Sequence, residues 1–121
     1  MELRHLALAV RDEAASCRFY QKYFGFDTAP PQRMDDGVLM LFVADDFHLA
    51  LGPWEGEAML PPFLHFGFRA TSPAAVHSFA ERIRRDGFEI VGQWHEPDYV
   101  SVKVRDPDGY VVEVACDPTA S

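Results

Sequence analysis

No uninterrupted apolar stretch comes near the roughly 18 residues a membrane-spanning helix needs, so no membrane span is expected. Cations are in short supply: 11 Lys and Arg stand against 19 Asp and Glu, and a formal net charge of -8 repels nucleic-acid phosphates. Cysteine is scarce too, with Cys17 and Cys116 far apart and without metal-type spacing. No basic patch followed by an apolar stretch opens the chain. The expectation is therefore no secretory signal, a cytoplasmic location and reduced thiols. Glycine-rich phosphate loops, dinucleotide fingerprints and nucleophile elbows are missing, which sets aside nucleotide-binding folds and hydrolysis through a covalent intermediate.

What is there is a folded chain of 121 residues, 48% hydrophobic and carrying 10 Phe, the size of a single domain over 1–121. Its order of signals repeats. A strand over 3–10 is followed by Asp12 as a helix cap, a helix to 24 with one apolar stripe (Phe19, Tyr20, Tyr23), and Gly25 as its stop. Strands over 26–29, 38–43 and 47–51 follow, separated by Pro30-Pro31, Asp35-Asp36-Gly37 and Asp45-Asp46. A Gly- and Pro-containing linker over 53–62 divides this first module, 1–52, from a second over 63–116. There the pattern is a strand over 63–69, Ser72 as cap with Pro73 opening a helix, Gly87 as stop, and strands over 88–94, 99–104 and 110–115. His5 and His65 lie 60 residues apart, Gly25-Phe26 and Gly87-Phe88 62 apart, so the modules share one register with a two-residue insertion. Two strand–helix–three-strand units make the class α+β, not a doubly wound parallel sheet.

Side chains alternate along a strand, so burying one face beneath a helix turns the other away. With Leu6, Leu8 and Val10 under the first helix, His5, Ala7 and Ala9 point away. With Leu64, Phe66 and Phe68 under the second, His65, Gly67 and Arg69 point away. On the last strand Glu113 joins this outer face, as do Tyr99, Ser101 and Lys103 on the strand before it, while His48 and Ala50 face inward on the fourth. Each of His5, His65 and Glu113 has a small residue two positions along, which leaves room for a ligand. Two imidazoles and one carboxylate suit a divalent metal (Fe, Mn, Co, Ni or Zn) with open coordination positions. Lys103 and Arg69 are candidates for an anionic substituent, and Trp54, Trp94 and Tyr99 for an aromatic wall. His77, on the polar face of the second helix, and His95, in a loop, read as solvated.

The ordered set Arg4-His5-Leu6-Ala7-Leu8-Ala9-Val10, Arg18-Phe19-Tyr20, Gly25-Phe26, Leu64-His65-Phe66-Gly67-Phe68 and Asp106-Pro107-Asp108-Gly109-Tyr110-Val111-Val112-Glu113 resembles the vicinal oxygen chelate superfamily. That superfamily includes glyoxalase I, fosfomycin-resistance proteins, methylmalonyl-CoA epimerase, extradiol dioxygenases and bleomycin-resistance proteins. The resemblance implies two βαβββ modules forming a curled eight-stranded sheet around a cavity, commonly in a homodimer whose metal site can draw on both chains. It implies His5, His65 and Glu113 as metal ligands. Ala50 falls where glyoxalase I has a carboxylate and the epimerase an amide, which counts against both activities because proton shuttling needs a base there. Two readings follow. One is a small metalloenzyme (a lyase, transferase or dioxygenase) that chelates an oxygen-bearing substrate, with His48, Ala50, Arg69, Trp94, Tyr99, Ser101 and Lys103 around that substrate. The other is a metal-free drug-binding protein of the bleomycin-resistance type, its acidity and Trp54/Trp94 attracting a cationic ligand.

Overall fold

Local chemistry sets both helices. In the computed structural model, which describes residues 1–57 and 59–117 and only the backbone of Asp45, α1 spans Glu13–Phe24. The Asp12 carboxylate caps it by accepting the Ala15 N–H at 3.1 Å. Gly25 ends it in the left-handed region at φ 73°, its N–H returning to the Tyr20 carbonyl. The second helix, α2, spans Pro73–Arg85, with the Ser72 hydroxyl accepting the Ala75 N–H at 3.1 Å and Pro73 in the first turn. Arg82, Arg84 and Arg85 gather in its last turn, where the helix dipole favours cations.

The chain divides into two compact units, residues 1–59 and 60–121. In the first, β1 (His5–Val10), β2 (Gln32–Arg33), β3 (Leu39–Val43) and β4 (Phe47–Pro53) form a mixed sheet ordered β1-β4-β3-β2. A single 3-10 turn, Ala44–Asp46, connects β3 to β4. In the second, β5 (His65–Arg69), β6 (Ile90–Glu96), β7 (Tyr99–Arg105) and β8 (Val111–Cys116) repeat that order as β5-β8-β7-β6. The first and last strands of each module pair in parallel and the rest antiparallel, so the expected βαβββ duplication is observed. The strands make two separate four-stranded sheets, not one hydrogen-bonded sheet of eight.

Each sheet buries most of the face its alternation assigns to the helix; the exception is Leu64, expected under the second helix, which precedes β5 and is exposed, while Phe66 and Phe68 are half-buried. Leu8, Val10, Leu49 and Leu51 are buried in the first unit with Phe19, Tyr20 and Tyr23 of α1. In the second, Val100, Val102, Val104, Val112 and Val114 are buried with Val76, Phe79, Ala80 and Ile83 of α2, which packs across β6, β7 and β8. Burial of each such side chain is worth about 1.5–3 kcal/mol. Consequently the other face of each sheet is left to the residues that carry chemistry.

Strands β1, β5 and β6 start two residues later than expected, at His5, His65 and Ile90, and β6 takes in His95, expected in a loop. The larger difference lies in the first unit. Residues 26–29 are not a strand, and β2 is the short pair Gln32–Arg33. Phe26 is fully buried because it closes α1: its N–H bonds the Tyr20 carbonyl at 3.2 Å, and its ring meets Tyr20 and Phe47. The apolar signal belonged to a helix cap.

Candidate functional site

The second sheet gathers most of the residues that alternation selects. Register places Gly67, Glu113, Lys103 and Gly92 in one row across β5, β8, β7 and β6, with Arg69, Ala115, Ser101 and Trp94 in the next. His65 lies on β5 two residues before Gly67, on the same face.

Glu113 is the best-determined group of this face. Its Oε2 accepts hydrogen bonds from the Ser101 hydroxyl at 2.5 Å and the Tyr99 hydroxyl at 2.8 Å. Burial pushes its pKa up, but the Ser101 and Tyr99 hydrogen bonds and the charges of Lys103 and His65 outweigh that, leaving it below the ordinary glutamate value. The carboxylate is held ionised, with both donors on one oxygen. Burial and the same hydrogen bond raise the Tyr99 phenol, which stays a donor. Both hydroxyls, expected against a substrate, are thus committed to Glu113.

His65 is also oriented. Its Nδ1 lies 2.8 Å from the Phe63 carbonyl oxygen, and the Phe63 ring meets it edge-on. A carbonyl only accepts, so Nδ1 carries a proton, and Nε2 is the nitrogen left to coordinate.

Lys103 sets its ammonium over the Trp94 ring at 5.1 Å from the centroid, and that indole lies across Gly92, where a Cβ would come within 2.5 Å of it. Neither Lys103 nor Arg69 makes an ion pair or hydrogen bond through its side chain among the described residues. Two cations without a close ion pair among the described residues therefore stand on the face that carries Glu113.

On the first sheet the same ladder positions hold different chemistry. His5 pairs with His48, and Ala7 with Ala50, as Gly67 pairs with Glu113. Ala50 is therefore the internal counterpart of Glu113. His5, Ala7 and Ala50 line an open cleft of about 430 Å³ on this face. His48 does not line it: its Nε2 lies 3.5 Å from the Asp46 carboxylate and its ring meets Phe42 edge-on. Among the described residues, no three His, Cys, Asp or Glu side chains form a group that could hold a metal ion.

A family model described as the Glyoxalase/Bleomycin resistance protein/Dioxygenase superfamily matches residues 2–114. The chain belongs to that superfamily. No curated protein matches this glyoxalase-superfamily chain. Similar solved structures include a possible glyoxalase from Bacillus cereus, 29% identical over 96% of this chain and 99% of that one, with a TM-score of 0.80. The genomically encoded fosfomycin resistance protein FosX from Listeria monocytogenes is 19% identical over 98% and 95%, with a TM-score of 0.80. TnmS3, an antibiotic-binding protein from Streptomyces sp. CB03234, is 23% identical over 97% and 97%, with a TM-score of 0.74. The last two likenesses are of fold.

Two features of this superfamily member escape sequence reasoning. The cleft is walled by Met34, Val38 and Met40; the alternation of Val38 and Met40 with Leu39 and Leu41 was visible, but their partners, Met34 among them, depend on register. His77 and His95, read as separate solvated residues, are stacked with Nε2 and Nδ1 3.1 Å apart. Trp54 has the Arg11 guanidinium 3.7 Å over its ring, so that face is already covered.

Proposed function

We propose that this glyoxalase-superfamily chain is a small metalloenzyme. His65 and Glu113 would supply ligands to a divalent metal, and His5, from the first sheet of this chain or of a second copy, the third. The observation that carries the reading is Glu113, ionised and fixed by two hydroxyl donors on Oε2, with His65 beside it held so that Nε2 is left to coordinate. Metal-binding histidines and carboxylates characteristically have their remaining atoms held in this way. Two nitrogens and an oxygen suit Fe, Mn, Co, Ni or Zn. Bound there, such a metal supplies Lewis-acid stabilisation to adjacent oxygens of a small substrate.

The chain's own residues set the rest. Tyr99 and Ser101 keep the carboxylate aimed. Lys103 and Arg69 offer positive charge to an anionic substituent, with Trp94 beside Lys103. Ala50 provides no base where Glu113 has its counterpart, so a proton shuttle between substrate carbons is not part of the proposal. A cytoplasmic homodimer belongs to the same reading.

Elemental analysis of purified protein tests it. We expect metal near one equivalent per chain, lost in His65→Ala and Glu113→Ala and reduced in His5→Ala. A protein that takes up none of the five metals at tenfold excess overturns it. The metal-free drug-binding reading needs indole faces for a cationic ligand, yet Arg11 and Lys103 already stand over Trp54 and Trp94.

A further inference from the structure

The duplicated sheets carry opposite chemistry at matching places. In the second, the row through Glu113 continues to Lys103. In the first, the row through Ala50 continues to Met40. Stepping two residues along the strands, Val38 and Met34 take the places that Ser101 and Trp94 hold. Ser101, Lys103 and Trp94 around Glu113 thus have apolar counterparts around Ala50, while His65 is matched by His5 and Tyr99 by an acid, Asp36.

That substitution makes a cleft with a direction. Its floor is Ala7 opposite Ala50 and Ala9 opposite Gly52, a flat strip of side chains no larger than a methyl. The thioethers of Met34 and Met40 wall it, and Met34 is 41% exposed. His5 stands at one end. At the other, where β4 finishes at Pro53, lies the turn that carries Asp36. Among the described residues, no Lys or Arg lines it.

We propose that this cleft seats the apolar remainder of the ligand: a planar aromatic group without anionic charge, laid along β1 and β4 with its oxygen-bearing end toward His5. Only the placing of that end rests on the metalloenzyme reading. A flat floor fits the face of a ring, and methionine sulfurs and methyls pack favourably against aromatic edges. The volume of about 430 Å³ lies within the common range of small-molecule sites. Asp36 at the far end, in a chain of net charge -8, repels an anion.

The four methionines, Met1, Met34, Met40 and Met59, all fall in the first unit and make the test direct. With methyl-13C methionine, titration of the whole protein with 2-naphthol should move the Met34 and Met40 signals by ring current and leave Met1 and Met59 in place. The anion 2-naphthoate should bind at least tenfold more weakly. Met40→Lys, which restores the charge of its counterpart, should abolish binding, and Met34→Ser, at an exposed position that leaves folding intact, should weaken it severalfold. Val91→Ser in the other unit should change nothing. All of this should persist in EDTA and in Glu113→Gln, so a failed metal site leaves the cleft reading standing. No shift at millimolar 2-naphthol, equal movement of all four methyls, or preference for the anion overturns the proposal. Met34 and Met40 signals that move with protein concentration alone also overturn it, since a second copy would then cover the cleft.

Discussion

Gly67 and Glu113 stand directly opposite one another on parallel strands, so close that a Cβ on Gly67 would lie 3.1 Å from the Glu113 carbonyl oxygen and 3.3 Å from its Cβ. The 3.1 Å neighbour is backbone and cannot swing aside. Gly67→Ala must displace the strand or the glutamate by a few tenths of an ångström. We expect a stability loss of about 1 kcal/mol by urea denaturation. Metal affinity, read by calorimetry, should fall by roughly tenfold or more, because the shift is delivered to the ligand. Equal affinity in the variant would show that Glu113 binds no ion.

The Ser101 and Tyr99 hydroxyls converge on one carboxylate oxygen, so each restrains the same rotation. Ser101→Ala and Tyr99→Phe should each lower metal affinity by about 10- to 100-fold with near-native circular dichroism. The double variant should lose more than the product of the two, since after either single change the remaining hydroxyl still orients Oε2. Affinities that multiply independently would mean the hydroxyls act on substrate and not through Glu113.

In the first unit, Arg33 clasps Glu13 with two 2.7 Å hydrogen bonds and donates to the Gly37 carbonyl at 2.9 Å, tying the start of α1 to the β2–β3 hairpin. The Arg33 hydrogen bond, against a smaller opposing effect of burial and with the help of its charge, holds the Glu13 pKa below the ordinary glutamate value. A depressed carboxylate contributes stability above its unfolded-chain pKa, about 4.3, and loses it as pH falls through the folded value. Wild type should therefore exceed Glu13→Gln in urea midpoint at pH 7, and the gap should close as pH falls through the folded-state value of Glu13. Arg33→Ala should show the same narrowing relative to wild type. Both groups are largely solvated, so 1 M salt should shrink the gap as well.

Helix limits were legible because their signals are local: Asp12, Gly25, Ser72 and Pro73 act within a turn of where they stand. The outer face of the second sheet was legible for a similar reason, since Val100, Val102 and Val104 can only alternate with Tyr99, Ser101 and Lys103. What those residues do was not. That Tyr99 and Ser101 serve Glu113 depends on the β7–β8 register, which no short stretch encodes. His48 shows the same limit: its strand position faces the cleft side, but Asp46, at φ 63° in the turn before it, offers a nearer partner. Phe26 failed differently, as a buried aromatic that closes a helix gives the same apolar signal as a strand.

His77 of α2 and His95 of β6 supply a prediction that owes nothing to metal. Their nitrogens, Nε2 and Nδ1, are 3.1 Å apart with the rings inclined by 23°, so one must donate and the other accept. If His77 donates from Nε2, His95 must accept on Nδ1 and carry its own proton on Nε2. If His95 donates from Nδ1, His77 must hold its proton there too. Either way the two neutral rings share one tautomer. Long-range 1H–15N spectra at alkaline pH should show both rings as Nε2–H or both as Nδ1–H. His77→Ala should release His95 to the mixture typical of a solvated imidazole. A double-mutant cycle should give a coupling of about 0.5 kcal/mol, the low end for a hydrogen bond open to water. Rings that show opposite tautomers would break the pair, because either both facing nitrogens would carry protons or neither would.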